Sequence, residues 1–316
     1  MHLLRKFEQL RALLRKAKNF DVSDLKDSND IKSMRVNIGQ IQAKQNAQLE
    51  SISNLKEVEF QVFSQWGEDG ILQYLISVLD IPNETFIEFG VEDYQESNSR
   101  LLAIMNNWSG LVIDGSEENF NYFTKSDSVA WRNDIQFINA FVTAESIERY
   151  IQLFLNRGFS PEIGLLSVDI DGMDYWVFKK IKSIQPIILI LEYNSVFGLE
   201  PLTLPYVEDF VWKNEPGTHQ YWGAGLAALH DVAESKGYIF IGCNSAGNNA
   251  FFVRKDKWVS ALPKPTLSEG FVLAKFNEGG AQPNKTRGGK KMLDMKNELP
   301  LYNTRNKSIV HMNNLK

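Results

Sequence analysis

The chain has 316 residues, 43% apolar and 23% charged, a composition that excludes a disordered or fibrous protein. Its net charge of −5 argues against a dedicated nucleic-acid binder, which needs a basic surface. That charge is unevenly placed: residues 1–19 carry +5 and residues 285–316 carry +6, leaving −16 for the body between them. The single cysteine, Cys243, allows no internal disulfide and suits a reducing compartment. No apolar run approaches the roughly 20 residues of a membrane span, and no signal-peptide pattern is present. The expected location is the cytoplasm.

The chain divides into three parts. Residues 1–57 read as a basic amphipathic helix followed by a short coiled coil. Leu3, Phe7, Leu10, Leu14 and Ala17 form one helical stripe, with basic residues around it. Such a helix either docks on its own protein or rests on an anionic membrane, giving a peripheral position on the inner face. Ile31, Met34, Ile38, Ile41, Ile52 and Leu55 then fall on a and d positions of a four-heptad frame, which predicts homo-oligomerisation through residues 31–57. Residues 58–262 form the body. Residues 263–316, rich in Gly, Asn and Lys, read as a loop-rich basic extension, either a solvated tail or a lid.

Within the body, short apolar strands alternate with helices. Strands are predicted at Thr85–Val91, Gly110–Asp114, Ile135–Val142, Gly164–Ile170 and Pro186–Tyr193. This alternation means βαβ units and a parallel sheet covered on both faces. Tyr238–Cys243 and Ala250–Arg254 are separated by only six residues, too few for a parallel crossover, so they must pair antiparallel. The predicted fold is therefore an α/β, Rossmann-like class I methyltransferase sheet with an antiparallel C-terminal hairpin. An all-parallel dehydrogenase sheet would lack that finish.

Ligands of open α/β sheets bind at the carboxyl ends of the strands. Glu88 and Gly90 lie at the end of the first strand, and Gly90 lets a backbone approach a ligand closely. Asp114 ends the second, where a carboxylate can accept the ribose hydroxyls of a nucleoside. The G-x-G-x-x-G phosphate fingerprint is absent, which suits a cofactor without a pyrophosphate, such as S-adenosylmethionine (SAM). Gln65 and Glu68, beside Trp66-Gly67, either line the methionine end of that cofactor or cap a helix.

FSQWGEDGIL (63–72), FIEFGV (86–91), NWSGLVIDG (107–115), LLSVDIDGMDYWVFKKI (165–181), PIILILEYN (186–194) and the late GY…NNAFFV segment resemble the FkbM-type family of SAM-dependent methyltransferases. The resemblance covers about residues 60–255, in the same order. It implies methyl transfer to a hydroxyl of a sugar, a cell-surface polysaccharide or a related small metabolite. Glu92 and Asp93 depart from it, standing where the family has a small residue and a glycine after Gly90.

Deprotonating a hydroxyl needs a base or a metal. Asp169, Asp171 and Asp174 follow the fourth strand, while Glu192 and Asn194 end the fifth. Oxygen donors of this kind suit Mg²⁺ or Mn²⁺, with Asp169, Asp171, Glu192 and Asn194 as ligands. Asp171 and Asp174 capping the next helix is the competing reading. The metal-free option is His219 as the base, with Tyr221 and Trp222 stacking on a sugar or packing in the core. His230, in a helical run, reads as structural. Asp169-Ile-Asp171 also matches the D-x-D of nucleotide-sugar glycosyltransferases, and the Glu92-Asp93 departure leaves room for a non-catalytic scaffold.

Overall fold

The computed structural model describes residues 29–211, 221–274 and 299–311. The basic stripe of residues 1–19 and His219 lie outside these, as does most of the C-terminal extension. A helix, α1 (Asn29–Asn46), precedes the body. Next come α2 (Glu68–Val78), β1 (Thr85–Phe89), α3 (Arg100–Asn106), β2 (Ser109–Asp114), α4 (Glu117–Ser126), α5 (Val129–Arg132) and β3 (Ile135–Asn139). The second half adds α6 (Ile147–Leu155), β4 (Glu162–Val168), α7 (Asp174–Lys180), β5 (Gln185–Glu192), β6 (Leu202–Thr203) and α8 (Leu226–Ser235). It ends with β7 (Tyr238–Cys243), β8 (Asn249–Arg254), α9 (Leu267–Gly270), β9 (Pro300–Asn303) and β10 (Ser308–His311).

Seven strands form one sheet in the order β3-β2-β1-β4-β5-β8-β7. The first five are parallel; β8 pairs antiparallel with both β5 and β7. This is the class I methyltransferase arrangement that the short β7–β8 connection predicts. Alternating residues feed two separate cores, as the period of two requires. Ile87, Ile113, Val168 and Leu191 face one core with α6, α7 and α8. Phe86, Val112, Leu165, Ile190 and Phe251 face the other, beside α2 and α3.

The ends of the chain depart from the sequence reading. The helix of the expected coiled coil stops at Asn46, so the four-heptad frame does not continue. Ile52 and Leu55, two of its apolar positions, are buried in the second core instead. The Ile52 N–H donates to the Ala261 carbonyl at 3.1 Å, which stitches this stretch to the end of the body. The body therefore begins before residue 58. Met34, Ile38 and Ile41 remain exposed on α1, while the opposite side packs on the body. There Gly39 sits so close to Val62 that a Cβ would come within 2.6 Å of its methyl.

The extension also contributes more than loops. β9 and β10 form a hairpin, and β9 pairs with β6 to make a second, three-stranded sheet. Leu301 is fully buried in the first core. The Tyr221 hydroxyl donates to the Pro300 carbonyl at 2.7 Å, so Tyr221 and Trp222 are core residues rather than an exposed sugar platform. No helix of the described residues is long and apolar enough to cross a membrane.

If the hairpin is part of the body, truncating its anchor must destabilise the whole domain. Leu301→Ala is expected to cost about 2–4 kcal/mol in denaturant unfolding, within the range for a buried leucine. An unchanged midpoint would mean that the hairpin is dispensable.

Candidate functional site

The strand register brings the candidate residues onto one line. β1 and β4 pair through Phe89 and Val168, β4 and β5 through Val168 and Leu191, and β5 and β8 through Leu191 and Ala250. One residue further toward the carboxyl edge stand Gly90, Asp169, Glu192 and Asn249, with Asp114 and Asn139 paired on the other side. Successive apolar rungs thus end in a row of Asn, Asp, Gly, Asp, Glu and Asn. All of these follow the face that holds α2 and α3.

Gly90 is required by contact between the strand ends. Its φ is +73°, and a Cβ there would lie 1.5 Å from the Asp169 carbonyl oxygen. Close approach was expected to serve a ligand; it serves the β4 backbone. The following loop holds Glu92 at φ +47° and Tyr94 at φ +65°, unfavourable for side chains other than glycine at a cost of order 1–3 kcal/mol each. Two contacts hold it there. The Glu92 N–H donates to Asp114 Oδ2 at 2.9 Å, and the Tyr94 hydroxyl pairs with Ser99 Oγ at 3.0 Å inside the core.

Glu88 lies one rung deeper on the same face. It accepts the Asn98 and Ser99 N–H groups at 2.8 and 2.9 Å and the Ser99 hydroxyl at 2.5 Å. These donors lead into α3, where a carboxylate also suits the helix dipole. Burial raises the Glu88 pKa against these bonds. Glu88 therefore anchors the helix start and is not placed to touch a cofactor. Glu68 is likewise fully buried and committed: it accepts from Asn244 Nδ2 (2.6 Å), Asn249 Nδ2 (2.9 Å) and the Trp66 N–H (3.0 Å). It ties the start of α2 to the β7–β8 turn. Gln65 is exposed in the loop before it.

Asp114 is the half-exposed member of the rung. Ser116 N–H and Asn119 Nδ2 occupy its Oδ1 at 2.8 and 3.1 Å, while among the described residues Oδ2 accepts only the Glu92 N–H. Beside it, a Cβ on Gly115 would meet the Phe141 ring at 2.6 Å. Phe141 is 73% exposed, an aromatic face left open next to a fixed carboxylate. The same pattern recurs after β4, where Gly172 leaves room for the Phe210 ring at 2.5 Å beside Asp171. Sequence reasoning missed both rings. The available signal was the Asp-Gly pair closing each strand.

Asp169, Asp171 and Glu192 converge, with ligand atoms all within 4.8 Å of one another. Asp171 is exposed at φ +54°, and Glu192 is buried with Oε2 unpartnered. Desolvation comes first in raising both the Asp169 and Glu192 pKa values well above their ordinary values, and neighbouring carboxylates add to it, Asp171 at Asp169, and Asp169 and Asp171 at Glu192. A proton held between them relieves that repulsion. Asp174 lies outside the converging set, though its charge adds to the rise at both: it accepts the Ile170 and Gly172 N–H groups at 2.9 and 3.0 Å, holding the turn, with its pKa raised by burial to about 6. Asn194 is also engaged elsewhere, with Oδ1 accepting from Val196 and Nδ2 donating to the Trp222 carbonyl. It leaves the expected ligand set. His230 lies on α8, with Nδ1 3.8 Å from Asp231.

No family model matches the chain, and no curated protein matches it. Similar folds occur among solved structures, each at low identity. The N-terminal domain of EvdMO1 with SAH bound is 15% identical, over 68% of this chain and 94% of that one, with a TM-score of 0.38. An O-methyltransferase from Bacillus cereus in complex with SAH is 14% identical, over 73% and 93%, with a TM-score of 0.37. A putative caffeoyl-CoA O-methyltransferase from Staphylococcus aureus is 14% identical, over 76% and 99%, with a TM-score of 0.39. The strand order by itself establishes the fold.

The acidic rung carries a stability cost with a definite sign. Asp169 and Glu192 have folded pKa values above their ordinary 3.8 and 4.5, so the native state holds protons that the unfolded chain releases. Their contribution is full below about pH 4 and is lost as pH rises through the raised folded values. Asp169→Asn should therefore flatten the decline in melting temperature as pH rises above the ordinary carboxylate values. At pH 8 it should melt higher than wild type, about 2–4 °C for each kcal/mol of repulsion relieved. A variant that melts lower at pH 8 would show that the carboxylate stabilises the site.

Proposed function

We propose that the chain is a SAM-dependent O-methyltransferase acting on a hydroxyl of a sugar, glycan or related small molecule. The observation that carries this reading is the open end of the rung. A carboxylate whose Oδ2 takes a single donor among the described residues lies beside an exposed aromatic ring at β2, about 10–14 Å, two to three strand spacings, along the edge from a carboxylate cluster at β4 and β5. A nucleoside cofactor needs the first, and a hydroxyl acceptor that must lose a proton needs the second. Bound SAM would supply an electrophilic methyl group, and the protein's task is then alignment and proton removal.

Asp114 is fixed by three donors and presents Oδ2 to ribose hydroxyls. Phe141 offers its face to an adenine ring, on the bare backbone of Gly115. The loop from Gly90 to Tyr94, held by Asp114 and Ser99, shapes the floor between cofactor and acceptor. Asp171, the exposed carboxylate of the cluster, takes the hydroxyl proton, and His219 is the second candidate for that role. Three clustered carboxylates with one buried, unpartnered oxygen also fit a hard divalent ion. Asp169, Asp171 and Glu192 would hold Mg²⁺ or Mn²⁺, which would acidify an acceptor hydroxyl.

Calorimetry decides between this reading and its rivals. S-adenosylhomocysteine should bind, and Asp114→Ala should weaken that binding at least about tenfold while leaving the melting temperature within a few degrees. Binding of a nucleoside diphosphate with Mn²⁺ but not S-adenosylhomocysteine would favour a glycosyltransferase. Binding of neither would leave a scaffold. For the ion, Mg²⁺ or Mn²⁺ should raise the melting temperature of wild type and leave that of Asp171→Asn unchanged; equal shifts in both proteins would remove the metal.

A further inference from the structure

Helix α1 is held on the body by one side and on the other carries an apolar stripe that stays exposed among the described residues. Val36 and Ala43 pack against Phe60, Val62 and Phe63, with Gly39 closing directly on Val62. At about 100° per residue, Met34, Ile38 and Ile41 fall on one line that points away from that contact. They are 60%, 56% and 58% exposed. Arg35 lies on one flank of the line and Lys44 on the other, both exposed. Asp30 in the first turn is the one acidic residue of α1, and residues 31–49 contain none, although the body to which α1 is fixed is strongly acidic.

We infer that this face of α1 docks on an anionic lipid surface. The stripe needs a hydrocarbon environment, which neither water nor a nucleic acid supplies. Its basic flanks need negative charge at the same level, which a leaflet of anionic headgroups presents. Each Lys or Arg near such a surface raises binding roughly fivefold. A second copy of the chain is a poor occupant. Two such helices, stripe to stripe, would gather four cations, Arg35 and Lys44 of each copy, against only two acidic residues, Asp30 of each, over far less area than a stable dimer buries. The +5 of residues 1–19, separated from α1 by residues 20–28 with a net charge of −2, adds to the same attraction.

The placement matters for the site. Lys32 Nζ donates to Gln95 Oε1 at 3.2 Å, so the first turns of α1 stand beside the loop that follows β1. That loop rims the carboxyl edge of the sheet. Docking through α1 would bring the open end of the rung to the lipid surface. If the methyl-transfer reading holds, an acceptor carried on a lipid would meet the site there; surface binding itself does not depend on that reading.

Co-sedimentation of the full chain with phosphatidylcholine vesicles, with and without phosphatidylserine, tests the inference. Wild type should bind only the phosphatidylserine vesicles, and less as salt rises. Met34→Ser/Ile38→Ser/Ile41→Ser should lose at least about tenfold in partitioning, and Arg35→Glu/Lys44→Glu a similar factor. All three positions of the triple variant are surface sites, so circular dichroism and melting temperature should be unchanged. Three results would each overturn the inference: no binding by wild type, a triple variant that binds as wild type does, or a dimer in light scattering that the triple variant abolishes. S-adenosylhomocysteine affinity, measured in parallel, should be equal in all proteins, which keeps failure here separate from failure of the proposed activity.

Discussion

The site depends on one contact without side chains. β1 and β4 can end level only because Gly90 has no Cβ where the Asp169 carbonyl oxygen lies. Any larger residue would push the two strand ends apart, and with them the rung from Asp114 to Asn249. The positive φ of Gly90 also turns the chain back across the edge, so that the Glu92 N–H reaches Asp114 instead of continuing the ladder. A local steric permission in one residue thus sets the separation of two chemically different halves.

Those halves are built on opposite electrostatic principles. Asp114 is half-exposed and held by N–H donors from Glu92, Ser116 and Asn119. Asp169 and Glu192 sit among other carboxylates, with burial and repulsion both favouring a shared proton. The second arrangement opposes folding at neutral pH and must be offset by the apolar rungs beneath it. Ile190, Leu191, Val168 and Phe251 are completely buried there, and each contributes on the order of 1.5–3 kcal/mol. A polar row at the end of a dry sheet persists because the sheet stands without it.

The sheet was legible in the sequence because short apolar runs bounded by helices admit few arrangements. The six-residue link between β7 and β8 fixed the antiparallel finish. The strand-end acids were legible too, since carboxyl edges follow directly from strand boundaries. What each acid does was not. Glu88 and Glu68 read as ligand-facing from their positions, but their partners, Ser99 and Asn244, lie 11 and 176 residues away. Hydrogen bonds of that range leave no local pattern. Asn194 was misplaced for the same reason, because its amide serves the Trp222 carbonyl. The aromatic rings over Gly115 and Gly172 needed two loops to converge before either could be seen.

The chain ends show a different failure, in which a real period was assigned the wrong partner. A heptad frame records that apolar residues recur; it does not record which of them the body will take. In this fold Ile52 and Leu55 are drawn into the core by the Ile52–Ala261 link, while Met34, Ile38 and Ile41 keep their spacing and stay outside. Splitting one apolar series between interior and surface costs the exposed members their burial, so the surface set must be explained by something other than folding. The scarcity of acidic residues along the same helix, which carries Asp30 in its first turn and none after it, supplies the second constraint. An apolar line between two cations on an acidic body is what an interface with an anionic, hydrocarbon-bearing surface would select, and what stability alone would not.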